Sequence, residues 1–299
     1  MIARANNRGS MLVLVVFLAG LLSVFAAVAA MAMRAAQNSS RGFADTLRAE
    51  EAARGAIEFA VAQSGGAVQR MTGITLSNYG AVEVTVTARS ETARIDLNLA
   101  SSELLTGLFR QLGASADQAN IYSARIVDWR DENDRTEKGG AERAAYRALG
   151  RVDGPRNGPF VHVAELGLIL GMPLAIAAAA APYLTVASGQ EQINPLLADP
   201  PVLLALPGTS IDRVRDFLRQ RANPAARFET LVSSLGPVTD FVTEEPGTAV
   251  RFEALVRLAP NNERRFEAVV YVLEGDTEPF RILAWDANPP ERRRALPSQ

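Results

Sequence analysis

Uncharged, mostly apolar residues run without a break from Gly9 to Met33, with Arg8 before them and Arg34 after. At a helical rise of ~1.5 Å per residue this stretch reaches ~37 Å, enough to cross a hydrocarbon core of ~30 Å. It predicts a membrane-spanning helix. Arg4 and Arg8 precede it and no acidic residue does, so the positive-inside bias keeps the leader in the cytoplasm and sends the chain after Arg34 across the membrane. The helical pattern then continues: Phe43/Leu47 and Ile57/Val61 are i, i+4 pairs on a polar surface, which predicts a helix with one face packed. Ser64-Gly65-Gly66 stops it, so Ser10 to Gln63 reads as one rod of roughly 80 Å.

The period next falls to two. Val82, Val84 and Val86 alternate with Glu83, Thr85 and Thr87, and Ile95 and Leu97 mark a second strand after Arg89-Ser90, which predicts a hairpin. From Ala100 to about Gly236 the segments read as short helices with marked ends. Ser101 caps a helix bearing Leu104, Leu105, Leu108, Phe109 and Leu112, closed by Gly113, and Ser115 with Gln118 has capping-box spacing before Tyr122, Ile126 and Trp129. Val163, Leu166 and Leu170 make a stripe, Pro173, Asp199-Pro200 and Ser210 start further helices, and Phe228, Leu231, Val232 and Leu235 form the last apolar face. Ile95-Asp96-Leu97-Asn98 before Leu104-Leu105 is loosely repeated as Ile193-Asn194-Pro195-Leu196 before Leu203-Leu204, which suggests a duplicated unit. Strands return at 249–258, 266–273 and 280–285, joined by Pro260-Asn261-Asn262 and Glu274-Gly275-Asp276.

These elements predict an α+β fold: a pilin-like long N-terminal helix packed on an antiparallel sheet, with a large all-helical domain inserted between strands. The expected divisions are 1–9 as leader, 10–63 as membrane helix and stem, 64–98 with 237–290 as the sheet domain, 99–236 as the helical insert and 291–299 as a tail.

Composition narrows the chemistry. The chain has 299 residues, no cysteine and one histidine, so disulfide staples, a cysteine nucleophile and zinc sites built on several His or Cys are excluded. His162 reads as a helix cap or surface residue. A net charge of −2 gives no basic field for nucleic acid, and Arg292-Arg293-Arg294 reads as a solvated tail. No phosphate-binding Gly-Lys-Ser/Thr loop or Gly-x-Ser-x-Gly elbow occurs, and no enzyme is expected.

One constellation suits a cofactor. Asp128, Asp131, Asn133 and Asp134 are closely spaced hard oxygen ligands, and Glu142 returns after Gly139-Gly140; such a set suits Ca²⁺, which takes 6 to 8 oxygens, although the spacing is not that of an EF-hand. The competing reading is a solvated loop with helix caps.

Arg8-Gly9 directly before an apolar helix resembles a type IV prepilin signal. That resemblance implies cleavage by prepilin peptidase between Gly9 and Ser10, methylation of the new terminus and retention of the helix; a plain signal anchor, or a signal cleaved after Ala27-Val28-Ala29, are the other readings of the leader. Most pilins carry Glu at the fifth mature position, where this chain has Leu14. A carboxylate there neutralises the terminal amine of a neighbouring subunit in an apolar core, and a buried unpaired charge costs several kcal/mol. Leu14 therefore suits a subunit with none ahead of it, at the tip of a filament.

Several stretches together resemble the K-type minor pseudopilin of bacterial type II secretion, general secretion pathway protein K. They are Arg8-Gly9, Ile95-Asp96-Leu97-Asn98-Leu99-Ala100-Ser101, Ile126-Val127-Asp128-Trp129-Arg130-Asp131, Gly139-Gly140-Ala141-Glu142 with Tyr146, Pro182-Tyr183-Leu184-Thr185-Val186 and Leu206-Pro207-Gly208. The resemblance implies a single-pass subunit of the bacterial inner membrane, its bulk in the periplasm. It also implies a complex with I-type and J-type minor pseudopilins that caps the pseudopilus and helps start it, dependence on the inner-membrane assembly platform, and calcium in this domain. The Leu206-Pro207-Gly208 turn also has a faint likeness to helix-hairpin-helix modules. The alternative is thus a membrane-anchored DNA receptor, or another type IV pilus-related minor pilin.

Overall fold

The computed structural model describes residues 8–64, 74–79, 82–152, 154–245, 247, 249–273 and 280–289. Helix α1 (Arg8–Ser64) is one unbroken helix of 57 residues, about 85 Å long. Its first part, from Met11 to Met33, leaves its large apolar side chains exposed and belongs to the one described helix long and apolar enough to cross a membrane. The second part is covered on one side: Ala49, Ala52, Ala53, Ala56, Ile57, Ala60 and Val61 are buried. They recur three and four residues apart and so share a face. Mostly alanine, that face lets the helix axis approach its partner closely.

The partner is a sheet. In chain order the strands are β1 (Ile74–Tyr79), β2 (Val82–Ser90), β3 (Ile95–Asp96), β4 (Leu184–Thr185), β5 (Ala249–Ala259), β6 (Asn262–Val272) and β7 (Phe280–Asp286). The larger sheet is antiparallel, in the order β1-β2-β5-β6-β7. Val84 and Val86 of β2, Val250, Phe252, Ala254 and Val256 of β5, and Phe266, Ala268 and Val270 of β6 form one core with the alanine face of α1. These are alternate residues, as the period-2 pattern requires. Arg54 of α1 also lies over the Trp285 ring of β7 at 4.6 Å. Ile57 and Val61 pack as their spacing predicts, whereas Phe43 and Leu47 are exposed, at 74% and 50%.

The expected hairpin between residues 82–86 and 95–97 does not form. β2 pairs with β1 on one side and β5 on the other, and a single 3-10 turn, Glu91–Ala93, leads the chain away. Ile95, Asp96 and Leu97 are all buried, which a half-exposed hairpin strand does not allow. Instead β3 pairs in parallel with β4 inside the helical block. The sheet therefore ends at Ser90 rather than 98 and resumes at Ala249 rather than 237, because Val238 and Val242 belong to the helical core and Val242 bridges to Ile193. The turn expected at Glu274-Gly275-Asp276, Gly65-Gly66 and the tail 291–299 lie outside the described residues, as does the leader up to residue 7.

The insert contains α2 (Ser102–Gln111), α3 (Ala116–Arg130), α4 (Arg143–Ala148), α5 (Leu174–Ala180), α6 (Pro200–Leu204), α7 (Ile211–Arg221) and α8 (Phe228–Leu235) around a core separate from that of the sheet. Ser101 caps α2, and Ser115 with Gln118 forms a reciprocal capping box on α3. Gly107 of α2 lies against the backbone of Ala205, where a Cβ would come within 2.8 Å of the carbonyl carbon. The loose repeat is visible as geometry. Asp96 Oδ1 accepts the Asn98 N–H at 2.8 Å and Asn194 Oδ1 accepts the Leu196 N–H at 3.0 Å. Arg130, last residue of α3, donates to the carbonyls of Leu97 and Ala100, and Arg221, last residue of α7, donates to those of Pro195 and Ala198.

The two units meet at a buried ion cluster. The Glu91 carboxylate, fully buried, accepts from Arg251 Nε at 2.7 Å and Nη2 at 2.9 Å and from the Thr185 hydroxyl, with Arg94 at 3.9 Å. Arg251 also pairs with Glu267 across β5 and β6. Burial pushes the Glu91 pKa up, but Arg94 and Arg251 outweigh it and hold the carboxyl below its ordinary value.

Candidate functional site

The acidic loop begins in the last turn of α3. Helical spacing sends Tyr122, Ile126 and Trp129 into the core, where Trp129 stacks on Phe160 and donates its indole N–H to Glu165 at 3.2 Å. This packing fixes the end of the helix and with it Asp128, which is fully buried, and Asp131, which caps the helix C-terminus through its N–H to the Val127 carbonyl. Glu142 sits just before α4, and α4 is anchored by Tyr146, whose hydroxyl accepts the Leu170 N–H at 3.0 Å.

Asp128, Asp131 and Glu142 converge, each offering a carboxylate oxygen within 4.8 Å of the others. Asp128 Oδ2, Asp131 Oδ1 and both Glu142 oxygens are buried without a hydrogen-bond partner. Burial raises the Asp128 pKa, opposed by the Glu137 and Ala141 N–H groups and helped by the charges of Asp131 and Glu137. Burial also raises that of Glu142, helped by Asp128, Asp131 and Asp134. Buried oxygens turned toward one another and left unsatisfied are costly for a protein alone. Their donor set fits a hard cation such as Ca²⁺.

Two other candidate ligands are engaged elsewhere. Asn133 Oδ1 accepts the Arg135 N–H at 2.7 Å, and Asp134 Oδ1 accepts the Asn157 amide at 3.0 Å. Asn157 also donates to the Asn133 carbonyl at 3.3 Å and adopts a left-handed backbone, φ 51. It ties the loop to the segment before Phe160, a role that sequence reasoning missed although Asn157-Gly158 carried a turn signal. Arg130 does not neutralise the cluster by pairing; its guanidinium is spent on the Leu97 and Ala100 carbonyls. His162 caps a 3-10 turn, its Nδ1 accepting the Ala164 N–H at 3.1 Å.

Gly9 and Ser10 lie in the first turn of α1, and Leu14 is 57% exposed on its membrane-length part. At the Leu206-Pro207-Gly208 turn, Arg213 donates to the Gly208 carbonyl at 3.0 Å.

No curated protein matches the chain. A solved structure does: a chain of the GspK-GspI-GspJ complex from the type 2 secretion system of enterotoxigenic Escherichia coli superposes with a TM-score of 0.63 at 17% identity, covering 85% of this chain and 99% of that one. At that identity the likeness shows the fold, an α+β pilin-like helix and sheet with a helical insert. The family evidence comes from the sequence itself. Residues 76–189 match the family model "Type II secretion system (T2SS), protein K", a span from β1 through β4 that contains the whole acidic cluster. Over those residues the sequence is similar to protein K of the type II secretion system, the family its motifs resemble.

Proposed function

We propose that this chain is a non-enzymatic minor pseudopilin at the tip of a type II secretion pseudopilus, joined to I-type and J-type minor pseudopilins in a complex that caps the filament and starts its assembly. The observation that carries this reading is the large helical insert with its own core, borne on a pilin-like helix and sheet in a chain that matches protein K. A chain of the same fold was crystallised together with GspI and GspJ. Leu14 supports the terminal position, because a subunit without a carboxylate there is ill suited to receive another subunit's charged amine in an apolar core. Prepilin peptidase would cut between Gly9 and Ser10, and α1 would hold the subunit in the bacterial inner membrane, at the assembly platform, with its bulk in the periplasm.

Asp128, Asp131 and Glu142 would hold Ca²⁺, and the cation would supply the positive charge that the buried oxygens lack. Main-chain oxygens and water would complete its shell. The role of the ion is structural: it would tie the end of α3 to the start of α4 and so stiffen the insert.

The deciding experiment mixes this chain, freed of residues up to Arg34, with the soluble bodies of the I-type and J-type subunits from the same secretion system. Size-exclusion chromatography with light scattering should show one ternary complex. Three proteins eluting independently at micromolar concentration would sink the tip-complex reading.

A further inference from the structure

The two oxygens of Asp128 are treated unequally. Oδ1 accepts the Glu137 N–H at 3.1 Å, while Oδ2 has no partner. The Glu137 N–H is delivered by a tight turn, closed by the Gly140 N–H on the Glu137 carbonyl at 2.8 Å, with Gly139 at φ 88. Gly139 is explained by that backbone, which side chains with a Cβ rarely adopt. Gly140 is not, for its φ is not positive.

What sets Gly140 apart is space. A Cβ on Gly140 would lie 2.7 Å from Asp128 Cγ and 2.9 Å from Oδ1, and nearer still to the unpartnered Oδ2. A Cβ on Gly139 would meet only Ile121, at 3.5 Å. The first glycine makes the turn and the second leaves the volume in which the free oxygen sits.

We propose that Gly140 is a positioning residue of the cation site, keeping open the space from which Asp128 presents Oδ2 toward Asp131 and Glu142; this rests on the reading of the cluster as a Ca²⁺ site. When an added methyl collides with a carboxylate, the carboxylate yields first, because it turns about two single bonds while the backbone turn is hydrogen-bonded shut. The fold then gives up one hydrogen bond. The cation gives up a ligand.

The two glycines therefore predict crossed signatures in the full-length chain in detergent. Thermal unfolding is measured in chelator and across a Ca²⁺ titration, alongside Tb³⁺ luminescence sensitised by the adjacent Trp129. Gly139→Ala should unfold at lower temperature in chelator yet keep the wild-type affinity for both ions. Gly140→Ala should unfold only a few degrees below the wild type in chelator, about what one lost hydrogen bond costs, and bind Ca²⁺ about 10–100-fold more weakly, the range found when a group that orients a ligand is lost. Wild-type affinity in Gly140→Ala would overturn the proposal and leave the ion reading intact. No Ca²⁺ shift and no Tb³⁺ signal in the wild-type chain would overturn both. If Gly140→Ala alone does not fold, it is combined with Asp128→Ala, which removes the group it strikes: the double variant should be as stable as Asp128→Ala, and a further loss would show that the methyl meets something else, which also refutes the proposal.

Discussion

Glu91→Gln tests the joint between the sheet and the insert. The substitution keeps the shape of the side chain and removes its charge from a site where Arg251 makes two hydrogen bonds and Arg94, only 6% exposed, stands beside it. Removing one partner of a buried ion pair costs about 3–5 kcal/mol. The lower end, about 3 kcal/mol, applies here because Glu267 still faces Arg251 and the amide oxygen still accepts from it. At ~2–4 °C per kcal/mol for a chain of this size, thermal unfolding at pH 7 should begin about 6–12 °C earlier. The pH dependence fixes the cause. The folded carboxyl titrates below its ordinary value, so its contribution is fully present above the unfolded value of about 4.5 and is lost as the pH falls through the folded one. The gap between wild type and variant, widest at neutral pH, should narrow in acid, while titrating groups outside this cluster cancel between them. A loss under ~1 kcal/mol at pH 7, or a gap unchanged in acid, would refute the argument that charge pairing holds this joint.

Three further outcomes are expected. Millimolar Ca²⁺ should raise the unfolding temperature of the wild-type chain and leave Asp131→Ala unmoved; equal rises in both would remove Asp131 from the site. Gly107→Ala should destabilise by about 3 kcal/mol or more, since the added methyl meets the Ala205 backbone rather than a side chain that can swing away; chemical denaturation returning a value near zero would contradict that packing. Mass spectrometry of the protein from its host membrane should find a methylated Ser10 as its terminus, and an intact Met1 or a terminus after Ala29 would dispose of prepilin processing.

The helix ends were the most legible part of the sequence. Ser101, Ser115 with Gln118, and Ser210 cap α2, α3 and α7 as their spacing implies, because capping is a local interaction between residues three apart. β5, β6 and β7 were readable for the same reason, through alternation along each strand. What escaped depends on distant partners. Asp96 reads as the outward residue of a strand, and its burial is explained only when Ser188 and Gly189, far along the chain, donate to its Oδ2, the Ser188 hydroxyl at 2.9 Å. α4 is six residues long, too short for a helical period to show. β1 was hidden by Ser77-Asn78, which resembles a turn and where the register with β2 is broken between Leu76 and Tyr79. On α1, Ile57 and Val61 mark the packed face, but the alanines that make up most of it carry little pattern, and Phe43 and Leu47 lie on a face that the fold leaves uncovered. At the acidic loop the sequence named five oxygen donors, but not that three converge while two turn to Arg135 and Asn157.

The pairing of Ser90 with Val250 bears on how such a chain folds. β2 and β5 are neighbours in the sheet, yet roughly 160 residues separate them, and closing so long a loop costs about 3 kcal/mol more than closing a short hairpin. During synthesis at ~5–20 residues per second, β2 waits about ten to thirty seconds before β5 exists, its inner edge unpaired. The insert has its own core and leaves and returns beside the same strand end, so once folded it brings the two strands together and the sheet closes without a search. Slowing the insert would then delay the sheet, leaving an open strand edge exposed to any other chain nearby.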